Sequence, residues 1–241
     1  SHLGYIKRTP LSEYRTQSRG GVGSKGSATR DADFIEHLYV TTMHNTMLFF
    51  TEKGRCYWLK VYEIPEGSRS SKGRAIQNVI QIEPDDKVRA YINVRRLNDP
   101  EYVNSNYIVM CTREGIIKKT LLEAYSRPRQ NGVNAITIKE GDQLIDAALT
   151  SGGAQIIIAA KGGKAIRFEE EKVRAIGRTG AGVRGISLDE GDEVVGMLTV
   201  EPGQKPEILV VSENGYGKRT SVEDYKVQVR GGKGLLTYDK A

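Results

Sequence analysis

The chain has 241 residues, 27 glycines, 38% hydrophobic residues and a formal charge of +6. That length can bury a full core, as one large all-β domain or two smaller ones, and no apolar run of about 18 residues is present to span a membrane. Cys56 and Cys111 form no Cys-x-x-Cys and read as two reduced thiols of a cytosolic protein, and the start, Ser1-His2-Leu3-Gly4, lacks the form of a signal peptide and reads as a cut inside a longer protein.

The first element in the chain is Gly4-Tyr5-Ile6-Lys7-Arg8-Thr9, followed by the glycine-dense stretch Gln17-Ser18-Arg19-Gly20-Gly21-Val22-Gly23. The pair returns near the other end as Gly215-Tyr216-Gly217-Lys218-Arg219-Thr220 and Gln228-Val229-Arg230-Gly231-Gly232-Lys233-Gly234. The spacing from Gly4 to Gly23 equals that from Gly215 to Gly234. Three further copies run from Gly54 to Gly73, Gly115 to Gly132 and Gly163 to Gly182; the first and last of these keep the same spacing and the middle one is shorter by two. The first glycines therefore stand at Gly4, Gly54, Gly115, Gly163 and Gly215, which marks an internal repeat. The long step, from Gly54 to Gly115, carries extra residues around Arg95-Arg96-Leu97-Asn98-Asp99-Pro100, read as a loop insertion.

Each period reads as four short strands. In the copy at Gly115 they are Ile116 to Leu122, Val133 to Ile136, Leu144 to Leu149 and Gln155 to Ala160, apolar and β-branched runs separated by turn residues. The third and fourth strands recur at about 35–51, 88–112, 144–160 and 194–212, which leaves half-units at both ends of the chain. Tight hairpins are expected before each first glycine, with Glu213-Asn214-Gly215 suited to a type I′ turn. No segment keeps a helical apolar period beyond two turns. A four-stranded unit repeated about every 50 residues predicts a propeller-like ring, because one unit cannot cover both faces of its own sheet.

Charge follows the repeat. Residues 1–30 carry +5 and residues 215–241 carry +3, leaving −2 between them. Basic residues fall in first strands and the turns after them: Lys7/Arg8, Arg55/Lys60, Lys118/Lys119, Lys164/Arg167 and Lys218/Arg219. Acidic residues precede third strands, at Asp31/Asp33, Asp85/Asp86, Glu140/Asp142 and Glu190/Asp192. The expectation is a ring with one basic rim facing an anionic partner. Gly21 to Gly26 and Gly180 to Gly185 fit G-x-G-x-x-G, but a strand rather than a helix should follow each, so they read as turn glycines. His2, His37 and His44 have no metal-ligand spacing, and no nucleophile elbow is present, so neither a metal site nor an enzyme activity is expected. In an Arg-Gly-Gly turn, glycine lets backbone N–H groups approach phosphate while arginine makes forked contacts to it.

These motifs resemble the C-terminal domain of the A subunit of DNA gyrase, whose first blade carries the box Q-R-R-G-G-K-G after a strand like Gly4 to Tyr14. Gln17, Arg19, Gly20, Gly21 and Gly23 match the box, while Ser18 and Val22 depart from it and each removes a positive charge. Gln228, Arg230, Gly231, Gly232, Lys233 and Gly234 match with Val229 as the one departure. The resemblance implies an all-β pinwheel, a propeller with strands exchanged between neighbours, of five four-stranded blades here or six in a full domain. It implies a single domain over residues 1–241 that wraps double-stranded DNA on its outer rim without reading bases, so that the whole enzyme can introduce negative supercoils. The DNA contacts it implies are the two boxes with Lys7, Arg8, Arg15, Lys25, Lys118, Lys119, Lys164, Arg167, Lys218 and Arg219. ATP, Mg²⁺ and the catalytic tyrosine would belong to the N-terminal part of the A subunit or to the ATPase-bearing B subunit, in the bacterial cytoplasm at the nucleoid. The alternatives are the corresponding C-terminal domain of topoisomerase IV, which lacks the box, and a propeller that binds protein.

Overall fold

The computed structural model describes residues 1–238. The first period contributes strands β1 (Tyr5–Ile6) and β2 (Thr46–Thr51). The second contributes β3 (Arg55–Lys60), β4 (Arg74–Ala75) and β5 (Val88–Val94), then helix α1 (Pro100–Ser105) and β6 (Tyr107–Thr112). The third holds β7 (Ile116–Leu121), β8 (Val133–Asn134), β9 (Leu144–Thr150) and β10 (Gln155–Ala160). The fourth holds β11 (Lys164–Glu169), β12 (Val183–Arg184), β13 (Val194–Val200) and β14 (Glu207–Val211). The fifth adds β15 (Gly217–Ser221) and β16 (Leu235–Leu236).

These strands form three four-stranded antiparallel sheets, β5-β2-β3-β8, β9-β6-β7-β12 and β13-β10-β11-β16, with the two-stranded β1-β4 and β14-β15 on either side. Each full sheet draws on three consecutive periods, because the two-residue second strand crosses to the preceding unit. Val133 and Asn134, for example, pair with Cys56 and Arg55. This is the strand exchange the resemblance implies. Every third strand pairs with the fourth strand of the period before it. Residues 35–42 occupy the third-strand phase of the first period, have no such partner and form no strand, contrary to the expectation for 35–51. Among the described residues no hydrogen bond joins the first sheet to the last.

The apolar runs of the fourth strands follow from this stacking. Leu48 and Phe50 of β2 share a core with Ile108 and Met110 of β6, while Met47 and Phe49 face the opposite core with Ile76 and Ile80. One sheet further on, Val109 and Cys111 pack with Ile156 and Ile158 of β10, and Ile157 turns to the last core with Ile208. A strand buried on both faces loses polar alternation. Asp146 of β9 departs from the rule. It lies opposite Cys111 in the ladder, and burial pushes its carboxyl up to about 6, against the pull of the Ala147 and Met197 amides. Below about pH 3 it is neutral whether folded or unfolded; as pH rises from there through about 6, the unfolded chain ionises first, folding must protonate or desolvate the carboxylate, and stability is lost. Asp146→Asn is therefore expected to stabilise the domain by about 1–2 kcal/mol at pH 7.5, seen as a higher melting temperature, and to have no effect at about pH 3. An equal effect at both pH values would refute it.

Two local details differ from the sequence reading. The hairpin before β15 is not type I′, since Gly215 (φ 82°) has positive φ and Asn214 does not. Its amide bonds to Ser212 O at 2.9 Å, and Gly54, Gly115 and Gly163 repeat that geometry, which is a turn closed by a left-handed glycine. The insertion at 95–106 carries helix α1, started by the Asp99 side chain, which accepts from the amides of Glu101 and Tyr102, with Pro100 as the first helical residue.

Candidate nucleic-acid interface

The interface is best built from the seam between neighbouring units. The fourth residue after each first glycine is Arg8, Trp58, Lys119, Arg167 or Arg219. Arg8 Nε donates to Ile64 O at 2.8 Å, Trp58 Nε1 to Tyr125 O at 3.0 Å, and Arg167 to Val222 O and Tyr225 O at 2.6 and 2.8 Å. Each bond joins one period to the next. Lys119 does the same by an ion pair of 3.0 Å with Glu170, both side chains buried, and its ammonium lies 4.2 Å from the centre of the Tyr107 ring. One residue earlier, Lys7 Nζ donates to the carbonyls of Ser68, Arg69 and Ser71, and Lys118 Nζ to those of Ala135 and Arg178, both at 2.6 Å. Burial lowers Lys118 to about 8.

The sequence reading puts Lys7, Arg8, Lys118, Lys119 and Arg167 on a DNA-binding rim; in the structure each is engaged by protein groups of the next unit, and Lys118 and Lys119 are buried. Their charged ends hold neighbouring units together, and a buried cation needs such partners because desolvation is costly. Lys164 is ion-paired with Asp189 at 2.5 Å. Lys218 and Arg219 occupy the same phase in the fifth period, and both are exposed, with Arg219 paired to Glu207 at 2.9 Å. The acidic residues are also committed. Asp33, Asp86, Asp142 and Asp192 each accept from the hairpin amide beside them, that of Leu3, Lys53, Glu114 and Gly162 respectively, at 2.8–3.1 Å. They are turn clasps, one per unit.

Much of the free positive charge lies on the box loops. In the first, residues 15–26 are all exposed, and Arg15, Arg19 and Lys25 have no hydrogen-bond or ion-pair partner among the described residues. A Cβ added at Gly20 or Gly23 would meet nothing within 4 Å. The last box differs. Arg230 donates to Lys172 O at 3.0 Å and Arg184 O at 2.5 Å, Gly231 N to Gly185 O at 2.9 Å, and the Gln228 amide to Arg167 O at 2.7 Å, so this box is docked on its neighbour, with Lys233 exposed. Given a Cβ, Gly234 (φ 74°) would place it 2.6 Å from Ala165 O, so a side chain there would clash.

Sequence reasoning passed over the boxes of the middle periods. An arginine recurs at one phase of the repeat in four copies, as Arg19, Arg69, Arg178 and Arg230, and one position earlier in the short third copy, as Arg129. Arg69 reaches back to Ser24 at 3.1 Å, and Arg178 to Asn134 O at 3.4 Å, as Arg230 does to its own predecessor. These bonds link the first box to the second, and the third to the fourth and fifth, and from the box loops Lys72, Arg74, Arg127, Arg129, Arg174, Arg184 and Lys226 project exposed. The signal was available in the constant phase of the arginine. Among the described residues no group of His, Cys, Asp or Glu is placed to hold a metal, and no helix is long and apolar enough to cross a membrane.

The family model described as "DNA gyrase C-terminal domain, beta-propeller" matches in five consecutive segments, residues 1–42, 45–94, 106–151, 154–201 and 206–239. The A subunit of DNA gyrase from Staphylococcus epidermidis is 48% identical over 237 residues, 98% of this chain and 26% of that protein. The chain thus spans about a quarter of the length of the curated relatives it matches. Among solved structures, the C-terminal domain of DNA topoisomerase IV superposes with a TM-score of 0.78 at 28% identity, over 97% of this chain and 69% of the other. The DNA gyrase A C-terminal domain gives 0.76 at 27% identity, over 99% and 76%.

Proposed function

The chain belongs to the DNA gyrase C-terminal domain family, and from that premise we propose that it binds duplex DNA along its linked box loops and curves it around the outer edge. The observation carrying this reading is that box loops of neighbouring units are hydrogen-bonded in two runs, the first with the second and the third with the fourth and fifth, and that the arginines and lysines projecting from them have no counterions among the described residues. A row of fixed, unpaired cations attracts a polyanion and releases its condensed counterions. Glycines at the same turns let backbone amides come close to phosphate. The only α-helix among the described residues has six residues, too short to lie along a major groove, so contacts fall on the backbone and binding is independent of sequence. Smoothly curving 20–30 bp by 40–90° costs roughly 1–6 kcal/mol, which many phosphate contacts along the edge offset.

In this reading the domain performs no catalytic step and needs no cofactor. It holds a DNA segment for the N-terminal part of the A subunit, with ATP used on the B subunit, and so biases strand passage toward negative supercoils. The fold is equally close to the topoisomerase IV domain, so the choice of gyrase rests on sequence: the 48% identity and the two box matches. The test is a mobility shift with a long duplex of arbitrary sequence across a salt series. The expected result is length-dependent binding whose log affinity falls with log salt at about −0.9 per phosphate contacted. Binding that ignores length and salt would reject the reading.

A further inference from the structure

Between β5 and β6 the chain inserts residues 95–106, where the third period connects the corresponding strands with 151–154. The family segments match 45–94 and 106–151 and skip 95–105, so the family pattern gives this stretch no role. It is nonetheless firmly seated. Val103 is buried and Tyr102 packs on the same core as Trp58 and Ala124, and α1 lies on the short 3-10 turn Leu122–Tyr125 that opens the third box loop. Outward it presents Arg95 and Arg96, both exposed. Arg95 has no partner among the described residues, and Arg96 has only a 4.0 Å pair with Asp99.

The neighbouring box is the short one. Its glycines, Gly115 and Gly132, stand closer together than those of the other copies, it lacks an Arg-Gly-Gly turn, and its Arg127 and Arg129 are exposed without partners among the described residues. One arginine pair leads into α1 and the other follows the turn Leu122–Tyr125 on which α1 lies. Fixed like charges raise the energy of the free protein, and a polyanion relieves it.

We propose that the insertion is an additional phosphate-binding element, in which Arg95 and Arg96 complete with Arg127 and Arg129 the cationic edge at the unit whose box is short. This rests on the DNA-binding reading above. The test measures binding of the full chain to a long duplex of arbitrary sequence across a salt series, for wild type, R95A/R96A, R95K/R96K and R127A/R129A, with thermal melting as the folding control. Each alanine pair is expected to lower the log–log slope by about 1.8, that is about 0.9 per lost phosphate contact, with the melting temperature unchanged, while the lysine pair keeps the wild-type slope. A wild-type slope in R95A/R96A, beside a steep wild-type control, would overturn the role of the insertion and leave the wider reading intact. A slope lost in R95K/R96K would overturn it too, since the charge is retained. Absence of salt-dependent binding by wild type would instead remove the reading beneath it.

Discussion

Replacing Arg19, Gly20 and Gly21 by alanine is expected to abolish the shift in plasmid linking number produced when the bound plasmid is relaxed, and to leave the fold in place. The first box is the loop best able to tolerate the change. Gly20 (φ 83°) has open space where a methyl group would be added, and Gly21 would meet only Ser18 O at 3.3 Å and the Gln17 side chain at 3.9 Å. The left-handed backbone at Gly20 makes alanine unfavourable by about 1–2 kcal/mol, spent in an exposed loop that can relax. What the variant removes is the unpaired guanidinium and the close approach of backbone to phosphate. The last box does not substitute for it, because Arg230 is already engaged by the carbonyls of Lys172 and Arg184. The readout is linking number after relaxation, with circular dichroism melting as control. A full topology shift in the folded variant would refute the assignment of the first box to wrapping.

Glu170→Ala is expected to produce the largest loss of stability, about 3–5 kcal/mol. Glu170 accepts from Lys119 at 3.0 Å, Thr150 Oγ1 at 2.7 Å and the Ala154 amide at 3.0 Å, and is itself fully buried. Truncation leaves a buried ammonium, a hydroxyl and an amide without that acceptor. At roughly 2–4 °C per kcal/mol for a chain of this size the melting temperature should fall by about 6–20 °C. Joint replacement as Lys119→Met with Glu170→Leu should recover the part due to the unpaired ammonium, since a packed apolar pair avoids its desolvation cost, while the Thr150 hydroxyl and the Ala154 amide remain without that acceptor. The salt slope of DNA binding should not change in that double variant. Melting of Glu170→Ala within about 1 °C of wild type would refute the staple, and a slope reduced by about 0.9 in the double variant would return Lys119 to the DNA-contacting set.

The contrast between Lys119 and Arg19 shows how far the sequence can be read. Both are basic residues at fixed phases of the repeat. Nothing in local pattern separates them, because exposure depends on whether the next unit supplies a carbonyl or carboxylate to the same atom. Lys218 and Arg219 make the point from the other side, being exposed at the phase where Lys7, Arg8, Lys118 and Lys119 are tied in. The four aspartates before third strands read in sequence as sorted charge and are hydrogen-bond acceptors for a neighbouring hairpin. The box arginines of the middle periods were legible from their constant phase, yet lack the full Arg-Gly-Gly signature that draws attention to the end copies.

By itself, the sequence determined the period, the strands and the turn glycines, because β-branched runs, left-handed turns and their spacing are short-range properties of the chain. It also determined that the sheets must stack, since the fourth strands are apolar on both faces. Only the tertiary structure decided which cations are free. A charge is committed or available according to the partner brought to it from the next repeat along the chain, and that partner is set by strand exchange between units, which no local window contains.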